Sequence, residues 1–234
     1  MNIGYQIYKD FPRLSQNKIK QFKNVPIANI GDACNRMLCL NHKIQSMNGL
    51  SVLGQAYTVK VPAGDNLLFY YAIDQAQPGD VIVVDGQGYL DRALCGEIMA
   101  TYALKRKLGG FVIDGAIRDI EDIQKLEFPV FASGVCPNGP YKNGPGEINV
   151  PVCVGGQIIH PGDLIVGNKE GIVVIPRLEI DDVLKKSLLI VQKEEKMMKD
   201  IDENHFDLSW VYKKLEETNC EIKENYFNER QSDE

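Results

Sequence analysis

Residues 96–122 read GEIMATYALKRKLGGFVIDGAIRDIED, and the order of elements in this stretch decides the fold. The pattern predicts helix, strand, loop, helix. Leu94, Ile98, Leu104 and Leu108 recur at close to helical spacing and predict an apolar stripe, with Cys95 inside that face. Glu97 falls near the helix start, and Gly109-Gly110 end it. Phe111-Val112-Ile113 is short and wholly apolar, as a buried strand requires. Gly115, Arg118, Asp119 and Asp122 then fall on the loop beyond the strand, where open α/β sheets place their ligands. An Arg and an Asp side by side cannot both enter a core without partners. Two readings stand: Asp119 caps a helix with Arg118 as its surface ion-pair partner, or the two form an anion and metal site.

Upstream, residues 1–24 are polar with scattered apolar positions and predict a short helix ahead of the domain. Ile27 to Ala33 leads into a helix with Asp32 in its N-cap region. Val52 to Val61 is strand-like, with alternation over Tyr57 to Val61. A turn at Pro62 to Asn66 precedes an apolar-periodic helix, Leu67 to Ala76. Val81 to Asp85 predicts a buried strand that ends in a loop, Gly86-Gln87-Gly88. Those two glycines lack a third and no helix follows at once, so they make a poor nucleotide or S-adenosylmethionine loop.

Downstream, Pro129 to Ala132 predicts another strand, and Cys136 to Gly146 a long Pro/Gly/Asn-rich loop. Loops of that length in compact domains are often functional. Pro151 to Val154 and Gln157 to Ile159 frame Gly155-Gly156 as a hairpin. His160-Pro161-Gly162-Asp163 echoes Pro78-Gly79-Asp80, each a turn launching an apolar strand. Ile172 to Ile175 is the last strand, ended by Pro176. From Ile180, Val183, Leu184, Leu188 and Val191 mark an amphipathic helix. The expected architecture is one α/β domain with a mixed sheet. Its bounds are 1–178, with a helical lead-in over 1–26, followed by an acidic helical extension over 179–234.

The chain has 234 residues, 44% hydrophobic and 25% charged, as globular proteins do. No apolar run approaches the ~20 residues of a membrane span, and no membrane partner is expected. The N-terminus has neither a basic nor an apolar signal region, so no signal peptide is expected. Six cysteines without a C-x-x-C pair suit reduced thiols and a cytoplasmic location. Of the net charge of −6, residues 179–234 carry −7 and residues 1–178 carry +1. There is no basic stripe, which argues against nucleic acid as a partner.

As a site, the central stretch has a coherent chemistry. Arg118 offers a planar fork for a carboxylate. The start of a helix near Gly96 to Met99 offers unpaired N–H groups to an anion. Glu97, Asp119 and Asp122 supply oxygen ligands, which suit Mg²⁺ or Mn²⁺ better than zinc. Such a site fits a small 2-oxo acid. A Schiff-base aldolase would need a desolvated Lys, and Lys105 and Lys107 lie in a basic cluster that reads as solvated.

Ile27 to Arg177 resembles the RraA-like superfamily, which includes class II pyruvate aldolases acting on 4-hydroxy-4-methyl-2-oxoglutarate and 4-carboxy-4-hydroxy-2-oxoadipate, and regulators of ribonuclease E. The resemblance rests on Gly31-Asp32-Ala33, Gly64-Asp65-Asn66, Pro78-Gly79-Asp80, Gly96-Glu97, Asp114 to Asp119, the Gly144-Pro145-Gly146 to Pro151-Val152 segment, Gly155-Gly156, Pro161-Gly162-Asp163 and Gly171 to Pro176. It implies a swivelling β/β/α domain, and a homotrimer or hexamer with sites between subunits. It implies that Arg118 binds the substrate carboxylate and bridging oxygen. Asp119 then ligates the metal directly, Glu97 and Asp122 hold it through water, and backbone amides near Gly96, Ile98 and Met99 contact the pyruvate unit. The implied reaction is metal-dependent cleavage of a 4-hydroxy-2-oxo acid to pyruvate through an enolate, with a metal-bound water as proton shuttle. Oxaloacetate decarboxylation would use the same enolate. The alternative within the family is a protein-binding regulator of a ribonuclease without catalysis, and Asp122 resembles the aldolase branch. Asn168 and Glu170 depart from the family pattern in a turn. Glu194 or Glu195 is the candidate for a glutamate reaching a neighbouring subunit's site. Cys136, Asn138 and Asn143 are loop positions that either touch substrate or merely build the loop.

Overall fold

The computed structural model describes residues 2–223. Nine strands form one mixed sheet among the described residues. Its centre is β3 (Val52–Lys60), β4 (Val81–Cys95), β5 (Gly110–Ile117) and β6 (Val130–Val135), paired in parallel in that order. Helix α3 (Leu67–Gln75) joins β3 to β4, α4 (Glu97–Lys105) joins β4 to β5, and α5 (Ile120–Ile123) joins β5 to β6. Parallel neighbours need such crossovers, and helices on the faces bury the strands. Alternation assigns the faces: Ile82, Val84, Phe111 and Ile113 enter one core with Phe69 and Ala100, while Val81, Val83 and Val112 enter a second with Val152, Val154 and Ile165.

The edges are antiparallel or short. β2 (Gln45–Ser46) pairs β6, and β7 (Gly146–Ile148) pairs β3 and takes β1 (Tyr5–Ile7) on its outer side. β10 (Leu164–Asn168) lies antiparallel to both β3 and β11 (Gly171–Ile175). β8 (Val152–Val154) and β9 (Gln157–Ile159) form the separate hairpin expected at Gly155-Gly156. A third core joins α1 (Gln16–Lys20) and α2 (Ile27–Ala33) to β10, β11 and the first turns of α6 (Ile180–Asp202), through Ile19, Phe22, Ile30, Val166, Val173, Ile180 and Val183. Compact contacts divide the chain between Val191 and Gln192, a point within α6. The second unit includes α7 (Ser209–Glu217), which buries none of its residues.

The two Pro-Gly-Asp turns are the same device. Gly79 and Gly162 both sit at φ +89°, which favours glycine. Asp80 Oδ2 accepts from Gln77 N at 2.8 Å, and Asp163 Oδ2 accepts from His160 N at 2.8 Å. Asp80 also pairs with Arg13 at 2.6 Å. Burial still holds its carboxyl above the ordinary range, against the pull of Arg13 and the Gln77 amide.

Several local expectations need correction. The lead-in is not simply helical: β1 opens it, and α1 is one short helix over Gln16–Lys20. Asp32 lies at the end of α2, not at its start. Gly86-Gln87-Gly88 is no terminal loop, because β4 runs through it to Cys95. Leu94 and Cys95 therefore belong to the strand, α4 begins only at Glu97, and Ile98 is 72% exposed. Asp122 lies on α5 and not on the preceding loop.

Candidate active site

The site begins as an irregularity between β4 and β5. They pair in step from Val81↔Gly110 to Asp85↔Asp114, then slip at Tyr89, Ala93 and Cys95. Gln87 and Gly88 turn left-handed at φ 62° and 64°, and the extra residues of β4 loop out before the strands rejoin at Cys95↔Ile117. Arg118 N donates to Cys95 O at 2.9 Å. The two chain segments thus leave the sheet side by side, delivering Gly96-Glu97 and Arg118-Asp119 to one place.

Asp119 occupies the left-handed region at φ 57°, ψ 41°, as N-cap of α5, yet its side chain makes no cap bond there. Its Oδ2 instead accepts from Glu97 N, the first amide of α4, at 3.1 Å. Arg118 Nε lies 3.6 Å from the same oxygen, and both side chains are about two-fifths exposed, 41% and 39%. Gly96 permits this crossing by lacking a side chain. A Cβ there would collide with Asp119 Oδ2 and stand 3.0 Å from Arg118 Cγ and 3.2 Å from Nε. The first turn of α4 leaves the Ile98 and Met99 amides without intrahelical acceptors.

A cleft opens over this crossing, lined by Gly96, Ile98, Met99, Arg118 and Asp119, with Asn66, Tyr70 and Lys142 from elsewhere. Asn66 is buried. Its Nδ2 donates to Leu94 O at 2.9 Å and approaches Met99 Sδ at 3.4 Å, while its Oδ1 has no hydrogen-bond partner. Sequence reasoning marked Gly64-Asp65-Asn66 as a turn and assigned it no part in the site. Roomier hollows exist elsewhere, one bordered by Asn41, His42 and Lys169 and one by the start of α2 with Asp32, Arg36 and Glu170; in the latter Arg36 is already paired with Asp32 at 2.8 Å.

The remaining predicted acids, Glu97 and Asp122, are not among the residues lining this cleft. Lys125 Nζ pairs with Asp122 Oδ1 at 2.8 Å. Asp122 above all, then Glu121 and Glu97, hold the lysine charged above its ordinary range. Among the described residues no three His, Cys, Asp or Glu side chains converge on one point. The donor set is one cleft carboxylate with further acids nearby, all oxygen. That does not fit a closed zinc site; oxygen donors of this kind suit Mg²⁺ or Mn²⁺.

The loop positions take part in the hydrogen bonds that build the loop. Asn138 O accepts from Ala93 N, and Asn138 Nδ2 donates to Asp91 O. Asn143 N donates to Asp65, and Cys136 N to Ile117 O. Asn168 Oδ1 accepts from Glu170 N at 2.8 Å, so the departure there builds its turn. Lys105 and Lys107 are exposed, as a solvated pair should be. Glu194 and Glu195 lie in the second unit.

The profile described as "RraA-like: Aldolase/RraA" matches residues 27–174. The chain belongs to the RraA-like family. A relative from Halalkalibacterium halodurans, whose name assigns it provisionally as a 4-hydroxy-4-methyl-2-oxoglutarate aldolase, is 43% identical over 170 residues, 72% of this chain and 81% of its own. An uncharacterized protein from Pseudomonas syringae pv. tomato shares the architecture with a TM-score of 0.73 at 27% identity, covering 82% of this chain and 96% of its own. The RNA-processing inhibitor RraA from Thermus thermophilis superposes with a TM-score of 0.61 at 28% identity, over 64% and 92%. The mixed α/β fold expected from the sequence is thus that of RraA-like proteins, and relatives named as aldolases support a lyase.

Proposed function

We propose that the chain is a divalent-metal-dependent aldolase that cleaves a 4-hydroxy-2-oxo acid of the 4-hydroxy-4-methyl-2-oxoglutarate type to pyruvate, and that it also decarboxylates oxaloacetate. The observation that carries this reading is the crossing of Asp119 onto the first amide of α4, beside Arg118. It groups an anion fork, free helix amides and a carboxylate around one cleft. Arg118 grips the substrate carboxylate in two-point fashion, a geometry Lys does not reproduce. The amides of Ile98 and Met99 donate to the same carboxylate, aided by the helix start. A divalent cation on Asp119 would supply Lewis-acid stabilisation of the negative charge left on the 2-oxo acid when the C3–C4 bond breaks. The 4-hydroxyl proton passes through water toward Glu97 and Asp122.

A homotrimer or hexamer, as the family resemblance implies, is also proposed. The test is pyruvate release from 4-hydroxy-4-methyl-2-oxoglutarate and from oxaloacetate, with Mg²⁺, Mn²⁺ or EDTA, for the native chain and Arg118→Ala. Metal-dependent release lost in the variant is expected. Release from neither substrate at any metal concentration would refute the aldolase and favour the second reading, a ribonuclease regulator, which the likeness to the Thermus inhibitor keeps in view.

A further inference from the structure

The loop between β6 and β7 ends over the cleft, and its last turns are fixed from below. Asp65 is 3% exposed. Its Oδ2 accepts from Asn143 N at 2.6 Å and Gly144 N at 3.0 Å, and its Oδ1 accepts from Leu67 N at 2.9 Å. Tyr141 N donates to Gly64 O, and Asn66 N donates to Tyr141 O. On the other flank, Arg92 Nη1 donates to Gly139 O at 2.9 Å and Nη2 to the Tyr141 hydroxyl at 2.9 Å. The backbone on both sides of Lys142 is therefore anchored, and Lys142 is held at the cleft mouth without help from its own side chain.

That side chain has no carboxylate partner among the described residues. Its Nζ lies 5.4 Å from the Tyr70 ring centroid, and Tyr70 lines the same cleft. The charged groups lining the cleft are Arg118, Lys142 and Asp119. Two cations against one anion leave a positive balance before any metal binds. Arg118 has its Nη1 close to Gly139 and its Nε close to Gly96; Lys142 stands on the tyrosine. An ammonium resting on an aromatic face and lacking a counter-ion is poised to take one.

We propose that Lys142, with Tyr70 beneath it, reads the distal carboxylate of a dicarboxylic 2-oxo acid, while Arg118 and the α4 amides hold the 2-oxo end. The assignment rests on the reading of the cleft as a 2-oxo acid site, whose proposed substrates are diacids, and adds the residue that holds their far carboxylate. Lys142 is a specificity residue that touches substrate away from the reacting bond, so its loss acts on the choice between acids.

The test uses two probes of equal carbon chain that the enzyme cannot cleave by aldol chemistry: 2-oxoglutarate, with a distal carboxylate, and 2-oxovalerate, without one. Each is titrated calorimetrically into the full chain at saturating Mg²⁺, for the native protein, Lys142→Met and Lys142→Arg. The native chain should prefer 2-oxoglutarate tenfold or more. Lys142→Met should bring the affinity ratio to within twofold of unity, and Lys142→Arg should keep most of the preference. A native ratio preserved in Lys142→Met would overturn the assignment, as would failure of the native chain to bind either acid. Pyruvate release measured alongside separates the two claims. Discrimination through Lys142 without release refutes the aldolase and keeps the diacid site; release with an unchanged ratio does the reverse.

Discussion

Gly96→Ala isolates the site from the fold. Gly96 has φ −146° and ψ −170°, an extended conformation open to alanine, so the backbone itself is not strained by the change. The new Cβ has nowhere to go: it meets Asp119 Oδ2 and lies 3.0 Å from Arg118 Cγ. Both side chains must swing away, and the bond from Glu97 N to Asp119 Oδ2 is lost. A hydrogen bond to a charged group contributes about 1.5–3 kcal/mol, and water replaces part of it at this half-exposed oxygen. Losing glycine's freedom in the unfolded chain offsets about 0.4–1 kcal/mol. The net loss of stability is on the order of 1 kcal/mol, a few degrees of melting temperature for a chain of this length. Turnover should suffer more, because a shift of about 1 Å in a positioned group costs on the order of 10²-fold in rate. The assays are thermal melting by circular dichroism, and pyruvate release coupled to lactate dehydrogenase. Turnover within threefold of native would refute the claim that the crossing organises the site. A melting temperature lowered by 15 °C or more would show that Gly96 serves the fold instead.

Asp65→Ala removes the acceptor of three amides and should cost about 3 kcal/mol; hydrogen exchange at Asn143 and Gly144 should lose its protection, and unchanged protection there would contradict the anchoring of the loop. Arg13→Ala strands the buried Asp80 carboxylate and should cost about 3–5 kcal/mol. Asp80 titrates above its ordinary value in the folded chain, so its share of stability is greatest in acid and is lost as pH rises through the folded pKa. The Arg13→Ala deficit in urea midpoint should therefore be larger at pH 7 than at pH 4, and the opposite order would be fatal to the argument. Burial, chiefly, pushes the Tyr57 phenol up to about 12 from 10.0. Native stability should fall by about 1.4 kcal/mol per pH unit between those values, and Tyr57→Phe should flatten that fall in urea titrations at pH 10 and above.

The regular half of the molecule was legible because burial on both faces writes itself as unbroken apolar sequence. Val81 to Val84 and Phe111 to Ile113 carry that mark, and they are the centre of the sheet. The turns were legible where glycine is required, as at Gly79 and Gly162. What escaped was whatever depends on a partner strand. Gly86-Gln87-Gly88 reads as a loop because a bulge exists only relative to the strand it is paired with. Leu94 and Cys95 read as helix because an apolar pair ahead of a helical pattern extends it by default. In the site, Arg118 and Asp119 stood out as adjacent opposite charges, but neither the left-handed turn at Asp119 nor its reach to Glu97 N leaves a trace in spacing. Asn66 and Lys142 come from loops far along the chain, and only the sheet order sets them beside Gly96.

That contrast follows from how the site is held. The left-handed backbone at Asp119 costs about 1 kcal/mol or more for a residue other than glycine. A helix N-cap usually recovers such a cost through its own side chain, and Asp119 does not cap α5. Its carboxylate caps α4 instead, so one residue ties the exits of β4 and β5 together. The sheet supplies the stability that makes this affordable: Ile113, Ala116 and Ile117 lead into the turn from full burial. Arg118 and Asp119 are left half-exposed at the end of a rigid strand, with their positions set by backbone and not by side-chain packing. The same framework can therefore carry different cleft chemistry in different members of a family. The cation at Lys142 lines the cleft away from the crossing, where substitution alters what the cleft binds and leaves the crossing intact.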